Sequence, residues 1–161
     1  MMQMKVLGAF AALALMSACS SGDQSAASTG AGVGAGTGSG TVRPGSQEDL
    51  VANVGDRIFF GTDQSSVRAD QRPVLERQAR WLAQYPEVQV SIEGHADERG
   101  TREYNLALGQ RRGNAARDTL VALGVAGARM SVISYGKDRP AALGSTEDAW
   151  AQNRRAVTVV R

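Results

Sequence analysis

The stretch Ser91-Ile-Glu-Gly-His-Ala-Asp-Glu-Arg-Gly-Thr-Arg-Glu-Tyr-Asn-Leu-Ala-Leu-Gly-Gln-Arg-Arg112 decides how the rest of the chain is read. Just before and inside it, Val88, Val90 and Ile92 alternate on one face, the period of a strand with one buried side. A densely charged loop with two glycines follows, and helix-type sequence begins around residues 102–104. The loop between a strand's C-terminal end and the next helix is a favoured place for ligand contacts in α/β folds. Asp97 stands at the mouth of that loop, and Arg112 falls about two turns into the helix. An anion and a planar guanidinium on one rim suit a ligand that carries both an ammonium and a carboxylate.

Working outward, the same alternation of periods continues on both sides. Residues 56–60 predict a strand, ended by Gly61-Thr-Asp-Gln-Ser-Ser66. Asp70 as a possible N-cap, Pro73 in the first turn, and Val74, Leu75, Ala79 and Leu82 at helical spacing predict a helix that Pro86 stops. The long helix covers 104–123, with Leu108, Ala115, Ala116, Thr119, Leu120 and Leu123 inward and Gly124 as its stop. A strand at 130–135, a short helix capped by Ser145 or Thr146, and a strand at 156–160 complete the chain. The order β-α-β-α-β-α-β predicts an α/β, two-layer α+β sandwich: a four-stranded mixed sheet with helices on one face.

Composition limits the classes of function. The 161 residues have room for one domain with appendages, and the formal charge is only +2. A pI near 9.0 then reflects two surplus basic groups rather than a basic stripe, which argues against a nucleic-acid partner. The single cysteine, Cys19, excludes an internal disulfide, and its position carries the information. Lys5 precedes an apolar run of about eleven residues, too short for the roughly 20 that span a bilayer but right for the core of a secretory signal. Leu15-Met-Ser-Ala-Cys19 resembles a bacterial lipobox, with Met16 where leucine is commoner. Residues 1–18 are therefore expected to be a lipoprotein signal peptide. Cys19 would be the lipidated residue, and Ser20 after it implies export to the outer membrane rather than inner-membrane retention.

Residues 19–46 continue as glycine, serine, alanine and threonine with almost no large apolar side chain. Such a segment cannot bury enough surface to offset its chain entropy and is expected to act as a flexible tether. About 27 residues of this kind give a root-mean-square span of roughly 30 Å. The folded domain is expected at 47–161.

The inventory of reactive groups is short. His95 is the only histidine, so a His/Cys metal cluster is excluded by count, and no cofactor is called for. Neither a Gly-x-Ser-x-Gly elbow nor a His-Glu-x-x-His pair is present. His95 reads first as a structural residue and only second as a general base. Asp63 and Asp97 could serve as a carboxylate pair acting on a glycosidic bond, which leaves a cell-wall hydrolase as the alternative to a binding protein. For Asp97 and Arg112 the spacing alone leaves two readings even: recognition of a zwitterionic head group, or a salt bridge that only holds the loop.

Gly94-His-Ala-Asp97-Glu-Arg-Gly-Thr101, Tyr104-Asn105-Leu-x-Leu108-x-x-x-Arg112, Ser134-Tyr-Gly-Lys137 and Asn153-Arg-Arg155 together resemble the OmpA-like peptidoglycan-binding domain family. With the lipobox and tether, the chain is similar to the lipid-anchored members of that family that serve the Tol system. The resemblance implies non-enzymatic, non-covalent binding of peptidoglycan stem peptides through meso-diaminopimelate. Asp97 would take its ammonium and Arg112 its carboxylate. Arg99 and Thr101 would contact the stem, Asn105 and Leu108 would shape the pocket, and Phe60, Gly61 and Asp63 would close its other side. Gly61 stands where many members have aspartate, so that side-chain contact is lost, and Ala96 replaces the commoner threonine. The resemblance further implies TolB and other Tol proteins as partners, with TolB and peptidoglycan competing for one face. It also implies a periplasmic domain tethered to the outer membrane and a part in cell division. Asn153, Arg154 and Arg155 are open between ligand contact and support beneath the site.

Overall fold

The computed structural model describes residues 42–161. The expected signal peptide, Cys19 and most of the expected tether lie outside the described residues. The first described element is α1 (Gln47–Asp49), capped by the Ser46 hydroxyl, and it runs directly into a π-helical turn (Leu50–Val54) that Gly55 ends. Then follow β1 (Arg57–Phe59), α2 (Arg72–Gln84), β2 (Val90–His95), α3 (Arg102–Ala122), β3 (Met130–Gly136), α4 (Glu147–Asn153) and β4 (Arg155–Val160). A single turn of 3-10 helix (Gly127–Arg129) leads into β3.

The four strands form one mixed sheet in the order β1-β4-β2-β3. β2 and β3 run parallel, joined by α3, whereas β4 is antiparallel to both β1 and β2. Ile58, Val90, Ile92 and Ala156 occupy alternate or facing register positions and are buried with Leu75, Leu82, Ala116 and Leu120 from α2 and α3. The expected β-α-β-α-β-α-β order is thus the frame of the fold. The N-terminal helical turn is an addition that so short a segment gives no period to reveal.

Several boundaries differ from the sequence reading for identifiable reasons. Asp70 does not cap α2. Its carboxylate pairs with Arg68, and the helix starts after Gln71, whose side chain accepts a hydrogen bond from the Phe59 N–H of β1. Val88 precedes β2 rather than joining it, because its N–H closes a turn onto the Tyr85 carbonyl. Leu123 is exposed rather than inward, since α3 has ended at Ala122 and Gly124 turns the chain with φ +94°. Thr146, not Ser145, caps α4, accepting from the Ala149 N–H.

The approach of α3 to the sheet positions the candidate site, and two glycines permit it. A Cβ on Gly94 of β2 would lie 1.8 Å from the Gly109 carbonyl oxygen of α3. One on Gly109 would lie 2.4 Å from Ser134 Oγ on β3 and 2.8 Å from the Gly94 oxygen. Both contacts are far inside van der Waals range, so helix and strand touch through backbone. Gly109→Ala should therefore destabilise the domain by about 2 kcal/mol through overpacking, despite alanine's better helix propensity. Urea denaturation at pH 7 checks this: an unchanged or raised midpoint would show that the helix can move outward freely.

Candidate functional site

Strand β2 ends at His95, and the chain turns into the loop that carries Asp97, Arg99 and Gly100 before Thr101 caps α3. The Thr101 side chain accepts from the Tyr104 N–H, which satisfies one of the helix's free donors. The loop is held from several sides. Asn105 Nδ2 donates to the Arg99 carbonyl, and Lys137 Nζ donates to the carbonyls of Glu98 and Gly100. Lys137 belongs to the turn after β3, in which the Asp138 N–H returns to the Tyr135 carbonyl and the Asp138 carboxylate pairs with Arg102. That turn is a brace for the loop.

Between this loop, the first turns of α3 and the loop after β1 lies a cavity of about 270 Å³. Six of the expected site residues line it: Asp97, Arg99, Asn105, Leu108, Arg112 and Asp63. Thr62, Gly100 and Tyr104 complete the lining. Tyr104 is the residue the sequence reading missed. Its hydroxyl donates to Asp63 Oδ1 at 2.6 Å, tying the rim of α3 to a residue 41 positions earlier in the chain. An exposed aromatic in the first turn of a helix that follows a charged loop was the available signal. Asp63 holds a left-handed backbone, φ +60°, uncommon for a residue with a side chain.

The other expected residues stand behind or beside the cavity. Phe60 is buried with its ring 5.3 Å from the Arg112 guanidinium, and its carbonyl accepts from Arg154. The Gly61 carbonyl accepts from Arg112. Thr101 is exposed and spends its side chain on the cap.

Arg112 is fully buried, and most of its donors go to backbone. Nε donates to the Gln64 carbonyl at 2.8 Å, Nη1 to the His95 carbonyl at 2.8 Å and Nη2 to the Gly61 carbonyl at 3.1 Å. Burial pulls the guanidinium down to about 10, with the Asp97 charge opposing, so it stays protonated at neutral pH. Of its five N–H donors two remain after these three bonds.

Asp97 pairs with Arg99 and Arg154 rather than with Arg112. Burial works to raise its carboxyl, but the hydrogen bonds and charge of Arg99, with Arg154 behind, outweigh it and hold the group below the usual carboxylate range. Arg154 is buried, and it joins Asp97 to the Phe60 carbonyl and to Glu147 of α4. Asn153 grips the 141–142 backbone through both ends of its amide, and Arg155 donates to the carbonyls of Asn153 and Arg139. Of the three, Arg154 alone bonds a residue lining the cavity, while Asn153 and Arg155 hold the 139–142 segment.

His95 is buried, its ring 5.6 Å from that of Tyr135, with no hydrogen-bond partner on either ring nitrogen. Burial, with the charges of Arg155 and Arg139 added, lowers its imidazole from 6.5 to about 4. It is neutral at pH 7, and its carbonyl rather than its ring serves the site. Among the described residues no group of three or more His, Cys, Asp or Glu could hold a metal ion. No described helix is long and apolar enough to cross a membrane.

Residues 59–154 match the OmpA family model. The chain is 63% identical over 117 residues to the peptidoglycan-associated lipoprotein of Rhizobium meliloti, covering 73% of this chain and 66% of that protein. It is 39% identical over 152 residues to the peptidoglycan-associated lipoprotein of Haemophilus influenzae, covering 94% of this chain and 92% of that one. Among solved structures, the peptidoglycan-associated lipoprotein of Burkholderia pseudomallei superposes with a TM-score of 0.64 at 45% identity, over 66% of this chain and 90% of that one. The chain belongs to the OmpA family and, within it, to the peptidoglycan-associated lipoproteins.

Two stability measurements test this geometry. Arg112→Ala leaves three carbonyls without their donor and should cost at least about 3 kcal/mol, since each buried unsatisfied group costs roughly 1–3 kcal/mol. Arg112→Lys should recover only part of that in urea denaturation, because one ammonium cannot span three separated acceptors. For His95 the folded state binds its proton less readily than the unfolded chain. Its contribution is complete above pH 6.5 and lost as pH falls toward 4, amounting to about 3 kcal/mol. His95→Gln should flatten the stability profile between those two pH values. Parallel profiles for the two proteins would remove the assignment.

Proposed function

We propose that this domain binds peptidoglycan non-covalently by gripping the side-chain end of meso-diaminopimelate in a stem peptide. The observation that carries the proposal is the cavity in which a carboxylate, Asp97, and a guanidinium, Arg112, meet from a loop and a neighbouring helix. An ammonium is the natural partner of the first. A carboxylate is the natural partner of the N–H groups left on the second. A ligand lacking either charge would forfeit one of these two contacts, which is the physical basis of selectivity. Asn105 and Leu108 shape the floor, while Asp63, with Phe60 and Gly61 behind it, forms the opposite wall. Thr101 and Arg99 stand at the edge nearest the rest of the stem.

The same reading places the domain in the periplasm, tethered through residues 19–46 to a lipidated Cys19 in the outer membrane. In that position it would link membrane to wall as part of the Tol–Pal system and support inward movement of the outer membrane at division. TolB would then compete with peptidoglycan for this face. The chain is a binding protein rather than an enzyme, as its family membership supports.

The test is sedimentation of the purified domain with isolated cell-wall sacculi. Asp97→Asn preserves shape and removes the charge, so it should reduce co-sedimentation at least about tenfold, in line with the loss of one charge-assisted contact. Binding that persists unchanged in Asp97→Asn would disprove the assignment. Release of soluble wall fragments would point to a hydrolase instead.

A further inference from the structure

Asp97, the group assigned to the ligand's ammonium, is fully engaged in the free protein. A carboxylate has about four acceptor positions. Oδ1 receives the Arg99 backbone N–H at 3.1 Å and Arg99 Nε at 3.2 Å. Oδ2 receives Arg99 Nη2 at 2.6 Å and Arg154 Nη1 at 3.4 Å. No position remains for an incoming cation, and the side chain is only 9% exposed.

These four donors differ in what it takes to remove them. Arg154 is 7% exposed and anchored at its other nitrogens by Glu147 and the Phe60 carbonyl. The Arg99 backbone is fixed with its loop by Asn105 and Lys137. The Arg99 side chain is 40% exposed and rests on one further support, the face of Trp150 at 4.1 Å. It is the one donor arm that can leave without unravelling the loop. Its departure vacates one position on each oxygen, which is what an ammonium with three N–H donors needs.

We propose that the Arg99 side chain is a built-in competitor for the cationic end of the ligand. It occupies the Asp97 carboxylate in the free protein and must swing out before that group can bind. Arg99 therefore keeps the buried carboxylate compensated when no ligand is present, and it weakens and sharpens binding at once. Only a cation that satisfies both oxygens as well as the guanidinium does can replace it. Trp150 strengthens the competition by holding the guanidinium in place. This inference rests on Asp97 being the ammonium site.

Titration calorimetry with a soluble stem peptide ending in meso-diaminopimelate tests it, using wild type, Arg99→Ala and Trp150→Leu. Removing a partly exposed ion pair from the competition should tighten binding about 3- to 10-fold in Arg99→Ala. Trp150→Leu should shift affinity in the same direction by less. Circular dichroism melts of each variant confirm that the fold is retained. If Trp150→Leu fails to fold, Arg99→Ala alone decides, since it leaves the backbone bond to Asp97 in place. Wild type that binds while Arg99→Ala binds equally or more weakly overturns the competitor role and leaves the peptidoglycan reading standing. If neither wild type nor Arg99→Ala takes up the peptide, the reading of Asp97 falls, and the competitor role falls with it.

Discussion

The Arg112 guanidinium is the fastening on which the site depends. From α3 it reaches the last carbonyl of β2 and two carbonyls of the loop after β1, so three separate pieces of chain are registered by one planar group. A fully buried guanidinium would be costly if its donors were unmet. Three short bonds to carbonyl dipoles and the field of Asp97 offset that cost. The arrangement requires α3 to lie against the sheet at backbone distance, which the absence of side chains at Gly94 and Gly109 provides. Two missing Cβ atoms, one helix approach, one guanidinium and one cavity form a single chain of causes.

The second organising feature is the crowd of charge around one carboxylate. Arg99 and Arg154 both pair with Asp97, and Arg154 extends the network to Glu147 on α4. This spreads the burial cost of the anion over groups that differ in freedom: one nearly immobile, one half in solvent. A binding site needs that asymmetry. A carboxylate ringed only by fixed partners would be inert, and one with none would not remain ionised and buried.

Much of this was legible along the chain. The alternation before Glu93, the charged loop and the start of helix-type sequence around 102–104 give the strand–loop–helix unit, whereas the Thr101 cap was read only as a stem contact. The left-handed stop at Gly124 and the Pro73 start of α2 follow from local backbone chemistry. What escaped were partnerships between distant residues. Tyr104 with Asp63, and Arg154 with Asp97 across 57 positions, join segments that only the folded chain brings together. Arg112 shows the sharper limit. Spacing put it near the loop and the family resemblance put it at the site, but its partners are carbonyl oxygens, which every residue carries and no side-chain pattern announces. α1 and its π-helical turn escaped because a few residues hold too little periodicity to stand out.

The strand order has a further consequence in time. β1 has no sheet neighbour except β4, and β4 comes after every other strand along the chain. Until that segment is available, β1 remains unpaired and the layer stays in two pieces. Closure is thus a late event between distant parts of the polypeptide, the kind of topology that folds slowly compared with local hairpins or helical bundles. A polypeptide built this way keeps its assembly pending until its last strand has been made.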